Sequence, residues 1–271
     1  MDLLAFNIKD AFEGEKFKTA LSWLPDHEHS SVTRFKYERD QHLALTSLLL
    51  RRHYFSQRLQ VPWPSLQFDR LPKGKPILKN EEIDFNISHE GSWVIFGATK
   101  ERGLQIGVDT VIIDRPKSIS IDEFIKSFLA QLTQQELELI KSNQDQELQL
   151  RTFYELWACK ESYIKAIGVG LSLDLSKLDF RNENDQVHVC LFLDGKDLTS
   201  WTFHLSSLDK DTIAVVCYGS PDQQTNSTVQ LAFNTKLLAK EPLHTITKTA
   251  FDQLNYQELK NNKWIVAQLQ T

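Results

Sequence analysis

Phe153-Tyr154-Glu155-Leu156-Trp157-Ala158-Cys159-Lys160-Glu161-Ser162-Tyr163-Ile164-Lys165-Ala166-Ile167-Gly168-Val169-Gly170-Leu171 is the stretch from which the rest of the chain can be read. It has no proline and no glycine before Gly168, and Phe153, Trp157, Ile164 and Ile167 fall on related faces at helical spacing. The pattern predicts a helix over 147–167, closed by Gly168-Val169-Gly170, where a left-handed residue can end it. Behind it, segments 177–180, 187–193, 199–205 and 212–218 read as strands. Ahead of it, Thr133 with Glu136 three residues on marks a capping box that starts another helix. Ile121, Phe124, Ile125, Phe128, Leu129 and Leu132 recur at i, i+3, i+4, i+7, i+8 and i+11, predicting an amphipathic helix over 121–132. Segment 104–113 reads as the strand that opens this half.

The first half repeats the theme. A strand over 3–8 precedes a helix over 39–60, apolar almost all round and stopped by Val61-Pro62-Trp63-Pro64. The Pro/Gly content of Leu71-Pro72-Lys73-Gly74-Lys75-Pro76 predicts a turn. Strands over 83–88 and 93–99 follow, separated by His89-Glu90-Gly91-Ser92. Each half is thus a long helix followed by strands, and the expected fold is α+β: a pseudo-symmetric duplication of one helix-plus-antiparallel-sheet unit. The domains expected are 1–103, 104–220 and a tail, 221–271, packing on the lobes. Residues 220–240 are rich in Gln, Ser, Thr and Asn and read as a loop; the last thirty are read as a helix and a strand. The length of 271 suits two domains of ~100–150 residues.

Composition narrows the chemistry. At 41% hydrophobic and 25% charged the chain is an ordinary globular protein. Its ten glycines are about half the usual share, and neither G-x-x-x-x-G-K-[ST] nor G-x-G-x-x-G occurs, so glycine-rich phosphate cradles are excluded. Net charge is −5, yet residues 31–79 hold ten Lys/Arg against three acids. A basic tract in an acidic protein suits a polyanionic ligand of limited size. Cys159, Cys190 and Cys217 are odd in number and set in apolar segments, as expected of reduced thiols in the cytoplasm. No C-x-x-C or H-E-x-x-H zinc pattern occurs. The first ten residues read as no secretory signal, and the apolar run from Leu43 to Leu50 is too short to span a bilayer.

Three groups of residues could do chemistry. Glu161 and Lys165 are helical neighbours at i, i+4, with Trp157 one turn earlier; the plain reading is a surface ion pair beside a core aromatic. With a second acid, a carboxylate beside lysines could hold a hard cation while the ammonium groups take a phosphate bound to it. Asp109, in Ile106-Gly107-Val108-Asp109-Thr110-Val111, is that acid. It faces water from an edge strand or is a ligand on a rigid one, because a buried, unpaired carboxylate is costly. Ser88 and His89, in Phe85-Asn86-Ile87-Ser88-His89-Glu90-Gly91, offer a hydroxyl and an imidazole at a strand end. No Ser-His-Asp hydrolase ordering accompanies them.

Gly107-Val108-Asp109, then Trp157-x-x-Lys160-Glu161-Ser162-x-x-Lys165, with Asn86-Ile87-Ser88-His89 and Lys73-Gly74-Lys75-Pro76 upstream, resemble the 4′-phosphopantetheinyl transferases. The likeness is to the two-domain surfactin-synthase type, and within it to the eukaryotic aminoadipate-semialdehyde dehydrogenase branch, over residues 34–220. The resemblance implies a monomer of two α/β lobes with coenzyme A in the cleft between them, Mg2+ as cofactor, and an apo carrier protein as partner, with neither nucleic acid nor membrane involved. It implies Asp109 and Glu161 as metal ligands, Lys160 and Lys165 at the pyrophosphate or its surroundings, Gly74, Lys75 and Pro76 along the adenosine, and Ser88 and His89 at the phosphates. Lys73 and Arg39 of the same basic tract join the coenzyme site. Where bacterial members carry a further acid two residues after the aspartate, this chain has Val111; Glu90, after the Ser-His pair, is then the expected third ligand, with water as the alternative. Glu161 is the expected base. Carriers compatible with the resemblance include a lysine-biosynthetic reductase and a fatty-acid synthase. A catalytically silent coenzyme A or carrier-binding module is the alternative.

Overall fold

Two 22-residue helices, Glu38–Leu59 and Gln146–Ile167, organise the protein, one in each half of the chain. The computed structural model describes residues 1–99, 101–182, 189–194, 196–197, 201–220 and 252–262. They fall into two units, Met1–Arg102 with Phe251–Thr271, and Gly103–Ala250.

The first unit begins with β1 (Asp2–Asn7), α1 (Lys16–Leu21), α2 (Asp26–Thr33) and α3 (Glu38–Leu59). It continues with β2 (Phe68–Arg70), β3 (Pro76–Leu78), β4 (Phe85–Glu90) and β5 (Trp93–Ala98). Helix α3 has Glu38 and Asp40 in its first turn and Arg58 in its last, each complementing the helix dipole. It ends where Gln60 turns left-handed at φ 57°, just before Pro62. Its Leu45, Leu49, Leu50 and Phe55 bury against Phe6, Phe85, Val94 and Phe96 of an antiparallel β1-β5-β4 sheet. Arg52 is fully buried within α3, its Nε donating to Glu28 Oε2 at 2.9 Å, so the desolvated guanidinium is paired.

The second unit holds β6 (Gln105–Ile112), α4 (Ile121–Lys126), α5 (Gln134–Lys141) and α6 (Gln146–Ile167). After them come β7 (Leu178–Asn182), β8 (Val189–Leu193), β9 (Lys196–Asp197), β10 (Trp201–Ser207) and β11 (Thr212–Gly219). One antiparallel sheet runs β10-β11-β6 and another β7-β8-β9. Asp145 caps α6 by accepting from Glu147 N, and Gly168 closes it at φ 67°. The apolar side of α6, with Phe153, Leu156, Tyr163 and Ile164, packs in one core with Trp201, Phe203, Val215 and Cys217.

The chain then returns to the first unit. Strand β12 (Asp252–Leu254) adds to β1 in parallel, and α7 (Tyr256–Lys260) follows it. Asn262 donates from Nδ2 to His53 Nδ1 (3.1 Å) and Ser56 Oγ (3.2 Å) of α3. Residues 221–251, which include most of the expected polar loop, lie outside the described residues.

Several expectations are corrected. The helix expected over 121–132 stops at Lys126: Ser127 Oγ bonds back to Phe124 O, and Phe128, Leu129 and Gln131 close three-residue turns instead. Its apolar period survives because Phe124 and Phe128 still pack on Phe153, Tyr154 and Trp157. Helices α1 and α2 were not anticipated; α2 spans mostly polar residues and gains its stability from burying Val32 and Glu28. The turn at Lys73-Gly74 is present, with Gly74 at φ 96°, and the short β2-β3 hairpin flanks it. Cys159 and Cys217 are buried free thiols; the side chain of Cys190 lies outside the described residues. Among the described residues no helix is long and apolar enough to cross a membrane.

Candidate active site

The second unit brings Asp109, Glu161 and Lys165 together, and glycine is the reason. A Cβ at Gly107 would lie 1.9 Å from Ser162 O and 2.3 Å from Ala166 N, both backbone atoms of α6. Strand β6 therefore lies directly against the helix backbone, an approach only glycine permits. Two residues on, Asp109 points to the same side as Gly107 by strand alternation. Lys165 Nζ reaches Asp109 Oδ1 at 2.5 Å. The pair joins residues 56 apart in sequence, and none of the ordinary i, i+4 ion pairing between Glu161 and Lys165 appears among the described salt bridges.

Asp109 is 5% exposed, so it does not face water. Glu161 is half-buried. Burial raises its pKa, the charge of Asp109 raises it further, and Lys165 pulls the other way. Lys165 thus pairs with Asp109, while its charge also acts on the nearby Glu161. Among the described residues no three His, Cys, Asp or Glu side chains are gathered into a self-sufficient metal site. A pair of carboxylates is nevertheless the donor set that suits Mg2+, which binds one or two carboxylates and keeps its other positions for water and substrate phosphates. Asp109 and Glu161 fit that ion.

Lys160 does not join them. Its ammonium group is buried, paired with Glu136 Oε2 at 2.6 Å and donating to Gln131 O (2.7 Å) and Leu175 O (2.9 Å). Those three acceptors take all of its hydrogens, so the contacts of Lys160 in this structure are internal. Glu136, read from sequence only as a capping residue, does cap α5 through Thr133 N, and is also the partner of Lys160. Trp157 belongs to an aromatic cluster, 5.3 Å from the Phe128 ring centroid.

In the first unit, alternation along β4 puts Ser88 and Glu90 on one face and His89 on the other. Ser88 is buried, whereas His89 and Glu90 are exposed. Glu90 Oε1 accepts from Gly91 N at 3.3 Å, and Arg39 Nε donates to Gly91 O at 2.9 Å, which holds the start of α3 to the β4-β5 turn. Lys75 is buried and paired with Asp84 Oδ2 at 2.5 Å. Lys73 is exposed in the turn before it, and Pro76 opens β3 opposite Arg70.

A buried carboxyl on α6 yields a pH prediction. Glu155, 4% exposed and accepting from Arg151 Nε at 3.0 Å, is pushed up to about 7 by burial. An unfolded glutamate releases its proton near 4.5, so between these values the folded state holds more protons and stability falls as pH rises. Glu155→Gln should match the parent near pH 4.5 and exceed it above pH 7 by up to about 3 kcal/mol. Urea unfolding at both pH values measures this; equal gains at both would refute it.

The family model described as 4'-phosphopantetheinyl transferase, N-terminal, matches residues 13–101, and that of the 4'-phosphopantetheinyl transferase superfamily matches residues 105–217. The chain belongs to the 4'-phosphopantetheinyl transferase superfamily. It is 32% identical to the L-aminoadipate-semialdehyde dehydrogenase-phosphopantetheinyl transferase of Mus musculus, over 89% of this chain and 78% of that protein. The Homo sapiens protein of that name is likewise 32% identical, over 90% and 79%. The 4'-phosphopantetheinyl transferase Sfp of Bacillus subtilis (strain 168) is 33% identical over 64% of this chain and 71% of its own length.

Proposed function

We propose that this enzyme transfers the 4′-phosphopantetheine arm of coenzyme A to a serine hydroxyl of an apo carrier protein and releases adenosine 3′,5′-bisphosphate. The observation behind this reading is the meeting of Asp109, Glu161 and Lys165 in a chain of this superfamily. In the reaction the serine oxygen bonds to the phosphorus that bears pantetheine, and the bond from that phosphorus to the oxygen of the adenosine phosphate breaks. Lys165 offsets negative charge on the departing phosphate, an interaction strongest where charge develops. Glu161 takes the serine proton, directly or through a water. Mg2+ bound to Asp109 and Glu161 would supply neutralisation of the pyrophosphate.

Residues of 104–220 serve the metal and pyrophosphate in this reading. Those of 1–103 serve the adenosine side, with Arg39, Lys73, Lys75, Pro76, Ser88 and His89 as contacts. The two units are proposed to be copies of one ancestral unit. What supports that is topology: a strand, a 22-residue helix and two further strands, the last pairing with the first, occur as β1-α3-β4-β5 and as β6-α6-β10-β11. The names of the relatives make the carrier domain of an aminoadipate-semialdehyde dehydrogenase the first substrate to try, with fatty-acid synthase carriers next. The enzyme is taken to act as a cytoplasmic monomer.

The test incubates the protein with coenzyme A, Mg2+ and a panel of apo carriers and follows the carrier's mass. Gain of one phosphopantetheine is expected. Binding of coenzyme A with no mass gain on any carrier would leave only a binding module. Glu90 is proposed as third metal ligand: Glu90→Gln should retain activity because an amide oxygen still coordinates, and Glu90→Ala should raise the Mg2+ requirement. An unaltered Mg2+ dependence in Glu90→Ala would remove it from the metal.

A further inference from the structure

The ion pair between Lys160 and Glu136 stands immediately beside the reacting cluster without facing it. It is also the meeting point of four segments. Glu136 Oε2 takes Lys160 Nζ and Thr133 N, and its Oε1 takes Phe180 N at 3.2 Å. Lys160 in turn holds the carbonyls of Gln131 and Leu175. The segment entering α5, the turn after α6 and strand β7 are therefore all tied to one point on α6, the residue before Glu161. Glu136 is fully enclosed and Lys160 is 1% exposed, so no solvent or substrate reaches this pair.

Helical geometry shows what that point can control. Counted from Lys160 at ~100° per residue, Glu161 and Lys165 lie ~100° and ~140° round the helix, and Ser162 and Ala166 lie ~200° and ~240° round. The Ser162 and Ala166 side meets β6 at Gly107. The face bearing Glu161 and Lys165 thus lies between two fixed faces, one held by the bare strand backbone and the other by the ion pair. The Gly107 contact and the apolar core set how closely α6 approaches β6, but neither is directional. The three-acceptor anchor on the opposite side is directional. Burying two charges is a poor way to gain stability over a well-packed apolar pair, but it suits fixing a single arrangement.

We propose that Lys160, through Glu136, is a positioning residue that sets the rotation and height of α6 so that Glu161 and Lys165 meet Asp109. This rests on the role given above to Glu161. Its consequence is that the lysine acts on the metal and on turnover rather than on coenzyme A affinity. Without the lysine, Glu136 is an uncompensated buried charge that displaces α6 further, so removing both charges together harms less than removing one.

The test compares Lys160→Met with the double variant Lys160→Met/Glu136→Gln, whose glutamine can still accept from Phe180 N while leaving no buried charge. For Lys160→Met, kcat and Mg2+ affinity should each fall about 10–100-fold, the range for residues that orient metal ligands, with KM for coenzyme A within about twofold of the parent. The double variant should regain most of the lost kcat. A pyrophosphate contact would instead raise KM for coenzyme A in both variants with no recovery in the double, and that result overturns the proposal. Should Lys160→Met not fold, the double variant decides alone: a parental KM upholds the proposal and a raised KM refutes it. Mg2+ binding, followed by calorimetry with coenzyme A present and no carrier, reads the geometry without turnover. A parent that binds Mg2+ but modifies no carrier defeats the transferase reading, while weaker Mg2+ binding in Lys160→Met, restored in the double variant, still upholds the positioning role.

Discussion

Asp109→Ala is expected to lower carrier modification by about a thousandfold, measured as the initial rate of mass gain at saturating coenzyme A and Mg2+. The size follows from two losses at once. A metal-held pyrophosphate gains several kcal/mol of charge stabilisation, and a single well-placed electrostatic group is worth about 10²–10³ in rate. Asp109 supplies one of the two carboxylates and also holds Lys165 in place. With the aspartate gone, Lys165 loses that partner, and Glu161, its neighbour one turn earlier, is left as the remaining carboxylate. A second readout follows from electrostatics. Since the charge of Asp109 helps to raise the pKa of Glu161, the glutamate should ionise at lower pH in Asp109→Ala, which a titration followed by NMR would detect. Parental activity in this variant would remove Asp109 from the metal and with it the proposed mechanism.

Gly107→Ala should be nearly as damaging, although the residue touches no substrate in the mechanism. The added methyl group would sit 1.9 Å from Ser162 O and 2.3 Å from Ala166 N. Both are helix backbone atoms, so no side chain can rotate away, and β6 and α6 must separate. Overpacking a tight core site costs about 1–3 kcal/mol, and a backbone collision belongs at the upper end. The separation also draws Asp109 away from Lys165 and Glu161, so activity should fall more than tenfold, in line with the sensitivity of such sites to misplacement of about 1 Å. Urea unfolding and the Mg2+ dependence of the rate test both parts. A stable variant with parental Mg2+ dependence would show that the close approach does not hold the site together.

Much of this was legible in sequence. The two long helices, the strands around them and the closure of α6 at Gly168 follow from local pattern, because a 22-residue stretch with no interior glycine or proline has few alternatives. The helices that local pattern leaves unmarked are α1 and α2, short and polar enough that packing rather than periodicity makes them helical. The overextended 121–132 helix shows the opposite error. An apolar period of i, i+3, i+4 also describes a short helix followed by three-residue turns over the same hydrophobic surface.

At the site, the sequence by itself determined the residue types: Asp109, Glu161 and Lys165 could be named from the chemistry that carboxylates and an ammonium group offer to a metal and a phosphate. Gly107 could be named as part of a motif, but its function could not. Only the tertiary structure decided that Lys165 pairs with Asp109 rather than with Glu161, and that Lys160 turns inward to Glu136. The physical reason is that side-chain pairing depends on which backbones touch. Here the missing Cβ at position 107 sets that contact across more than fifty residues of sequence, where no local spacing rule reaches.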